Sequence, residues 1–280
     1  VLRTRLQYFL NNHLEGANTT VSENQKKDIA DDNNNNETAI KTNNPHPPAM
    51  NPKATDKYPM KRGFAGNFFF GLGVIGTYAF IRFGAEGVAN IPKDIPYVIA
   101  ANHQTYVDGM WIARFLPRKH FKVMCCLAAS DLETDHGLLG RIIMRVGRGI
   151  AVDRYGSPVR GLIKAKKEIE NGHVMLVHPE GTRTSDGLVA DLKDGAAYMA
   201  VKANVPVLPV YISGGYDVFS RHMKKPQFWD KANKRRKKVT IHFGPVMLPQ
   251  TYGKDAHKLT TAIQDWLREM EKTQMAKKPE

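Results

Sequence analysis

Two short runs of this chain hold side chains able to move a proton and grip an anion. The first is Asn102-His103-Gln104-Thr105-Tyr106-Val107-Asp108, directly after the apolar run Tyr97 to Ala101. A histidine titrates near ~6.5, so it suits general-base work at neutral pH. An aspartate against its Nδ1 would fix the tautomer and leave Nε2 free to accept a proton. Five residues of unbroken helix would hold the two side chains about 140° apart, so a loop between them is needed if they are to meet. Alone the pair is a weak signal. His103 could equally be a satisfied strand-end histidine, with Asp108 capping the helix that follows.

The second run is His178-Pro179-Glu180-Gly181-Thr182-Arg183-Thr184, after the apolar run Val174 to Val177. A specified EGTR tetrapeptide is expected on the order of ~0.003 times in a chain this long, from average composition. It therefore carries more information than the first run. Gly181 lets the backbone approach an anion, Thr182 offers a hydroxyl, and Arg183 presents a planar fork suited to phosphate oxygens. Glu180 could hold Arg183 or accept a hydrogen bond from a polyol. The competing reading is a surface turn with a salt bridge.

These runs need a scaffold, and the sequence supplies one. Short buried strands are expected at Tyr97–Ala101, Val123–Leu127, Gly149–Val152, Val174–Val177, Val207–Ile212 and Val239–Phe243. Between and after them come helix patterns at Tyr106–Phe115, Arg160–Glu170, Gly195–Ala203 and Leu259–Lys272. Strands alternating with helices predict an α/β fold, a mostly parallel central sheet flanked by helices. In such sheets ligands collect where loops leave the carboxyl ends of strands, which is where both runs fall.

Upstream the texture differs. Residues 1–14 read as a short amphipathic helix or a fragment of an upstream domain, with Leu2, Leu6, Phe9 and Leu10 at helical spacing. Residues 15–60 are Asn- and Pro-rich, lack apolar periodicity and read as a disordered linker. Residues 61–83 read as a membrane-associated helix, since Phe64 to Phe83 hold only Asn67, Thr77 and Arg82 as clearly polar residues. Twenty residues at about 1.5 Å each would just cross a ~30 Å hydrocarbon core. Four glycines make the stretch pliable, and a helix lying in or dipping into the bilayer is favoured over one that spans it. A buried core helix is the alternative. Residues 84–280 form the α/β domain.

The 280 residues are 42% hydrophobic and 24% charged, which excludes a wholly disordered chain and a polytopic membrane protein. The net charge of +14 lies entirely beyond residue 57, because residues 1–57 carry seven basic and seven acidic side chains. Such a body seeks anionic partners: nucleic acid, phosphorylated metabolites or an acidic membrane. The basic stretch Lys231 to Lys238 lacks the interleaved aromatics or module of a nucleic-acid site. With Phe228 and Trp229 just before it, it suits an interfacial anchor or a solvated loop. Cys125 and Cys126 are adjacent, cannot build a disulfide framework or a four-ligand zinc site, and favour a reducing compartment.

The two runs together resemble the glycerolipid acyltransferase family, with its NHxxxxD and EGTR motifs. Two further blocks stand in the family's order: Gly149-Ile150-Ala151-Val152-Asp153-Arg154, and Val205-Pro206-Val207-Leu208-Pro209-Val210. Lys193-Asp194-Gly195 matches its lysine-x-glycine step. The likeness spans about residues 64–250. It implies that His103 and Asp108 are catalytic, that Glu180, Gly181, Thr182 and Arg183 bind the acceptor phosphate, and that Arg154 and Lys193 help. Ala151 and Val152 stand where the family commonly has bulky aromatics. Residues 84–280 would then be an acyltransferase domain on the cytoplasmic face of an anionic phospholipid membrane. It would move an acyl group from acyl-CoA or acyl carrier protein to lysophosphatidic acid, with glycerol-3-phosphate or another lysophospholipid as alternative acceptors. A thioester is already activated, so no enzyme nucleophile, metal or further cofactor is expected. There is no GxSxG elbow, and Cys125 and Cys126 are expected to be buried and inert. No nucleic-acid partner is expected, although an idle membrane- or RNA-binding module is the contrasting class.

Overall fold

The structure, a computed structural model, describes residues 59–130, 132–153 and 159–277. The expected helix at 1–14, nearly all of the expected linker, and Arg154 lie outside the described residues.

The chain enters on helix α1 (Gly63–Phe80), followed at once by strand β1 (Arg82–Glu86) and β2 (Val98–Ala101). Then come α2 (Asp108–Phe115), α3 (Arg118–Val123), β3 (Met124–Ala129), α4 (Leu132–Gly147), β4 (Gly149–Val152), α5 (Val159–Glu170) and β5 (Val174–Val177). The second half holds α6 (Gly195–Ala203), β6 (Val207–Ser213), α7 (Gly215–Phe219), a small antiparallel pair β7 (Trp229–Asp230) and β8 (Arg235–Arg236), β9 (Lys238–Phe243) and α8 (Ala256–Ala276).

Seven strands form one sheet in the order β1-β9-β6-β2-β5-β3-β4. Its pairings are parallel except β6 with β9. The central strands are apolar on both faces because both are covered. Val98, Ala100, Met175, Val177, Val207 and Tyr211 pack under α5, α6 and α8. Ile99, Ala101, Leu176, Leu208, Val210 and Ile212 pack beneath α2. Each of the fully buried Ile99, Leu176 and Leu208 contributes roughly 1.5–3 kcal/mol. The connections leaving the neighbouring strands β2 and β5 go to opposite faces, α2 on one and α6 on the other. That divergence opens a crevice at the carboxyl ends.

The expected boundary at residues 83 and 84 does not separate two bodies. Arg82 and Phe83, read from sequence as the tail of the helix, belong to β1, paired along its length with β9. At the other end of α1 the buried Arg62 side chain donates to the carbonyls of Val146 (2.7 Å), Phe121 (2.8 Å) and Met124 (3.2 Å), with its guanidinium 4.0 Å over the Phe121 ring. Midway, the Trp111 indole donates to Thr77 Oγ1 at 3.1 Å. The helix, 18 residues long and apolar enough to cross a membrane by length and composition, is thus fastened to the sheet domain at both ends and lies along it. The glycines serve packing: a Cβ on Gly73 would run into the Met110 sulfur, and one on Gly66 would stand 2.6 Å from Arg62 Cγ. The opposite side of α1 is bare. Phe64, Phe68, Leu72 and Ile75 are exposed, at helical spacing, and Leu138 and Leu139 of α4, the helix packed against α1, are exposed as well.

Candidate active site

The loop after β2 is held by its first residue. Asn102 exchanges two hydrogen bonds with the Ile212 backbone, Oδ1 accepting at 2.7 Å and Nδ2 donating at 3.1 Å. The chain then curls so that Asp108, at the first turn of α2, faces back. Its Oδ2 accepts from His103 Nδ1 (2.9 Å), the Gln104 amide (2.7 Å) and the Thr105 amide (2.9 Å), and its Oδ1 accepts from Thr105 Oγ1 (2.7 Å). The expected loop between the pair exists and brings them together. Burial alone would raise the Asp108 carboxyl, but the hydrogen bond and charge of His103, with help from His178 and the Thr105 amide, hold it below its usual value. A carboxylate acceptor at Nδ1 makes that nitrogen the N–H donor and leaves Nε2 with the lone pair. His103 stays 18% exposed while Asp108 is fully buried. The imidazole can be reached; the carboxylate cannot.

The loop after β5 is tied to the first at two points. His103 donates its amide to Glu180 Oε1 at 2.8 Å, and the Thr184 amide donates to the His103 carbonyl at 2.8 Å. Glu180 also accepts from the Ala190 amide at 3.4 Å. This differs from the expected role: Glu180 is 5% exposed, neither holds Arg183 nor faces the cavity, and joins the two loops. Burial raises its carboxyl to about 7 despite both amides. The Gly181 amide, a candidate oxyanion donor by position, is spent on the His178 carbonyl at 3.0 Å.

Arg183 lies 3.5 Å over the Tyr106 ring and lines the cavity with Gly181, Thr182 and Lys193. Burial lowers its guanidinium from its ordinary value, with Arg221 adding to the effect. Gly181 has φ +77°, and a Cβ there would sit 3.0 Å from Lys193 Nζ, so glycine is what lets the lysine reach this wall.

His178 has a role that sequence did not show. Its ring stacks on His103 at 4.0 Å and 9°, and its Nδ1 lies 3.0 Å from the carbonyls of Ala101 and Asn102. Burial, then the neighbouring His103, lowers it to about 3, so it is a neutral plate under the His103 ring. His103, Asp108 and His178 bring potential metal-ligand atoms within 4.8 Å of one another. Of these, His103 Nδ1 and Asp108 Oδ2 are bonded to each other, and His178 Nδ1 is directed at backbone carbonyls.

From His103 a cavity of about 970 Å³ extends between α1, α2 and α4. Arg183, Lys193 and Arg221 line it, and so do Phe69, Leu72, Phe80 and Ile143. One space therefore brings together an imidazole, cationic groups and apolar side chains. Cys126 also lines it and is only partly buried, against expectation, but burial raises its thiol to about 11; buried Cys125 is raised further.

The model of the family described as "Acyltransferase" matches residues 82–213, the stretch holding both loops. Over that stretch the chain is similar to the acyltransferase family. Among similar proteins, human 1-acyl-sn-glycerol-3-phosphate acyltransferase beta is 29% identical over 149 residues, 52% of this chain and 48% of that protein. The chloroplastic 1-acyl-sn-glycerol-3-phosphate acyltransferase of Arabidopsis thaliana is 28% identical over 50% of this chain and 38% of its own. The match thus spans about half or less of the curated relatives' length. The crystal structure of the 1-acyl-sn-glycerophosphate acyltransferase of Thermotoga maritima superposes with a TM-score of 0.60 at 25% identity, covering 78% of this chain and 83% of that one. Within the acyltransferase match lie His103, Asp108, Arg183 and Lys193; α1 and everything after β6 lie outside it.

Proposed function

We propose that this chain is an acyltransferase that moves a fatty acyl group from acyl-CoA or acyl carrier protein to the free hydroxyl of lysophosphatidic acid, giving phosphatidic acid. The observation that carries the reading is the joint lining of one cavity by His103, the cationic Arg183 and Lys193, and an apolar wall. That combination suits an acceptor with a phosphate at one end and an acyl chain at the other. His103 Nε2 takes the hydroxyl proton as the oxygen attacks the thioester carbonyl. Asp108 stabilises the imidazolium, the carbon–sulfur bond breaks, and the proton passes to the departing thiolate. Arg183 and Lys193 hold the phosphate. The names of the similar enzymes, all acting on 1-acyl-glycerol-3-phosphate, favour this acceptor. The bare face of α1 rests in the surface of an anionic membrane, with the domain on the cytoplasmic side that unpaired Cys125 and Cys126 suit.

Thiol release tests the reading across a panel of lysophosphatidic acid, glycerol-3-phosphate and neutral lysolipids, with acyl-CoA and acyl carrier protein as donors. Lysophosphatidic acid should give the highest kcat/KM, and His103→Ala should abolish turnover while leaving the melting curve intact. Near-normal turnover in the alanine variant would overturn the mechanism; preference for another acceptor would overturn the substrate.

A further inference from the structure

Residues 224–238 hold eight lysines and arginines against one acid, Asp230. Eight minus one is +7, half of the chain's +14 in fifteen residues. They build the β7–β8 hairpin, which lies beyond the stretch matched by the family model. The hairpin is mounted on the end of α1. Arg236 donates to the carbonyls of Tyr78 (3.1 Å) and Ala79 (2.9 Å), and Phe228 stacks on Phe80 at 4.9 Å. Residues 231–236 are all exposed, and so is Trp229, at 54%. Asp230 is occupied within the turn, accepting from Asn233 and standing 3.9 Å from Arg235. Among the described residues, Lys231 and Lys234 have no acidic partner.

We propose that this hairpin reads anionic phospholipid headgroups. Trp229 sits at the water–lipid boundary beside the apolar stripe of α1, and Lys231, Lys234 and Arg235 hold lipid phosphates, so the protein selects anionic over zwitterionic bilayers. The occupant follows from charge complementarity and from continuity with the stripe. A nucleic acid would satisfy the charges but leave Phe64, Phe68, Leu72 and Ile75 in water. Arg221, Pro226 and Phe228 of the same connection line the active-site cavity, so the lipids gathered here lie beside the place where an anionic acceptor enters. The inference rests on the reading of α1 as lying in a bilayer surface.

Flotation of the full chain with phosphatidylcholine vesicles, and with vesicles containing about 30% phosphatidylglycerol, tests it at about 0.15 M salt, where charges act over about 8 Å. The wild type should partition at least about tenfold better onto the anionic vesicles. The triple variant Lys231→Gln, Lys234→Gln, Arg235→Gln should lose about ten- to a hundredfold there, keep its binding to phosphatidylcholine, and turn over detergent-dispersed acceptor at the wild-type rate. Trp229→Ala should weaken binding to both vesicles. If the triple variant floats with anionic vesicles like the wild type, the hairpin inference falls alone. If the wild type floats with neither vesicle, the reading of α1 falls too. If an RNA oligonucleotide displaces the wild type from anionic vesicles and the triple variant no longer binds that RNA, the partner is nucleic acid and the proposal is overturned.

Discussion

Replacing Glu180 by Gln tests how the two loops of the site are joined. The carboxyl rises from an ordinary 4.5 to about 7 on folding, because burial outweighs the amides of His103 and Ala190. Between those values the folded protein holds a proton that the unfolded chain has released. The stability Glu180 contributes is therefore full below about 4.5 and is lost as pH rises through about 7. At about 1.4 kcal/mol for each tenfold, the loss is about 3 kcal/mol. Glutamine does not ionise, and it matches protonated glutamic acid in shape and in its single carbonyl acceptor. Near pH 5 the two proteins should melt within a few degrees of each other. Near pH 8 the variant should melt about 6–12 °C higher, which is what about 3 kcal/mol produces in a domain of this size. Acceptor KM should be unchanged, because Glu180 does not line the cavity. Parallel melting curves from about pH 5 to pH 8 would refute the argument, and so would a large rise in acceptor KM.

Three further outcomes are expected. Asp108→Asn should lower kcat by at least about a hundredfold with little change in KM, since a hydrogen bond to a charged group worth roughly 1.5–3 kcal/mol and the counter-charge to the imidazolium are both lost; retention of more than a tenth of wild-type kcat would count against the pair. Arg183→Lys keeps the charge but loses the fork, and should raise acceptor KM about ten- to a hundredfold on a phosphorylated acceptor only. Equal losses on the phosphate-free analogue would mean that Arg183 serves the fold or the donor. Arg62→Leu strands three carbonyls of the sheet domain and should cost about 3 kcal/mol or more, lowering Tm by at least about 6 °C in a thermal melt; an unchanged Tm would show that α1 is held without it.

Strands that are unbroken apolar runs were readable: Val174–Val177, buried throughout, and Gly149–Val152, half-buried at the other edge, fall where the sequence puts them, and β2, β3, β6 and β9 within two residues at each end. β1 was hidden because Arg82-Phe83-Gly84-Ala85-Glu86 is an edge strand, exposed at both ends and paired with residues far along the chain. Helix α4 was hidden because Gly137 breaks its backbone and Leu138 and Leu139 turn outward, which blurs the period. In the site, the motifs located His103, Asp108 and Arg183, but they did not show what Glu180 and His178 touch. Those contacts depend on the register that sets Ala100 beside Val177, and register is a property of the folded sheet.

The pairing of β1 with β9 also sets a clock on biogenesis. β1 is complete at residue 86, but its partner begins at Lys238, about 150 residues later. At roughly 5–20 residues per second, translation takes about 8–30 s to bridge that interval. Throughout it the edge of β1 stands open, and the apolar helix just upstream is without β9 and the hairpin that will cap its end. On the reading of α1 proposed above, a bilayer surface is a partner already at hand for Phe64, Phe68, Leu72 and Ile75. On that reading the order of synthesis favours a nascent chain that meets the membrane first and closes its sheet against it afterwards.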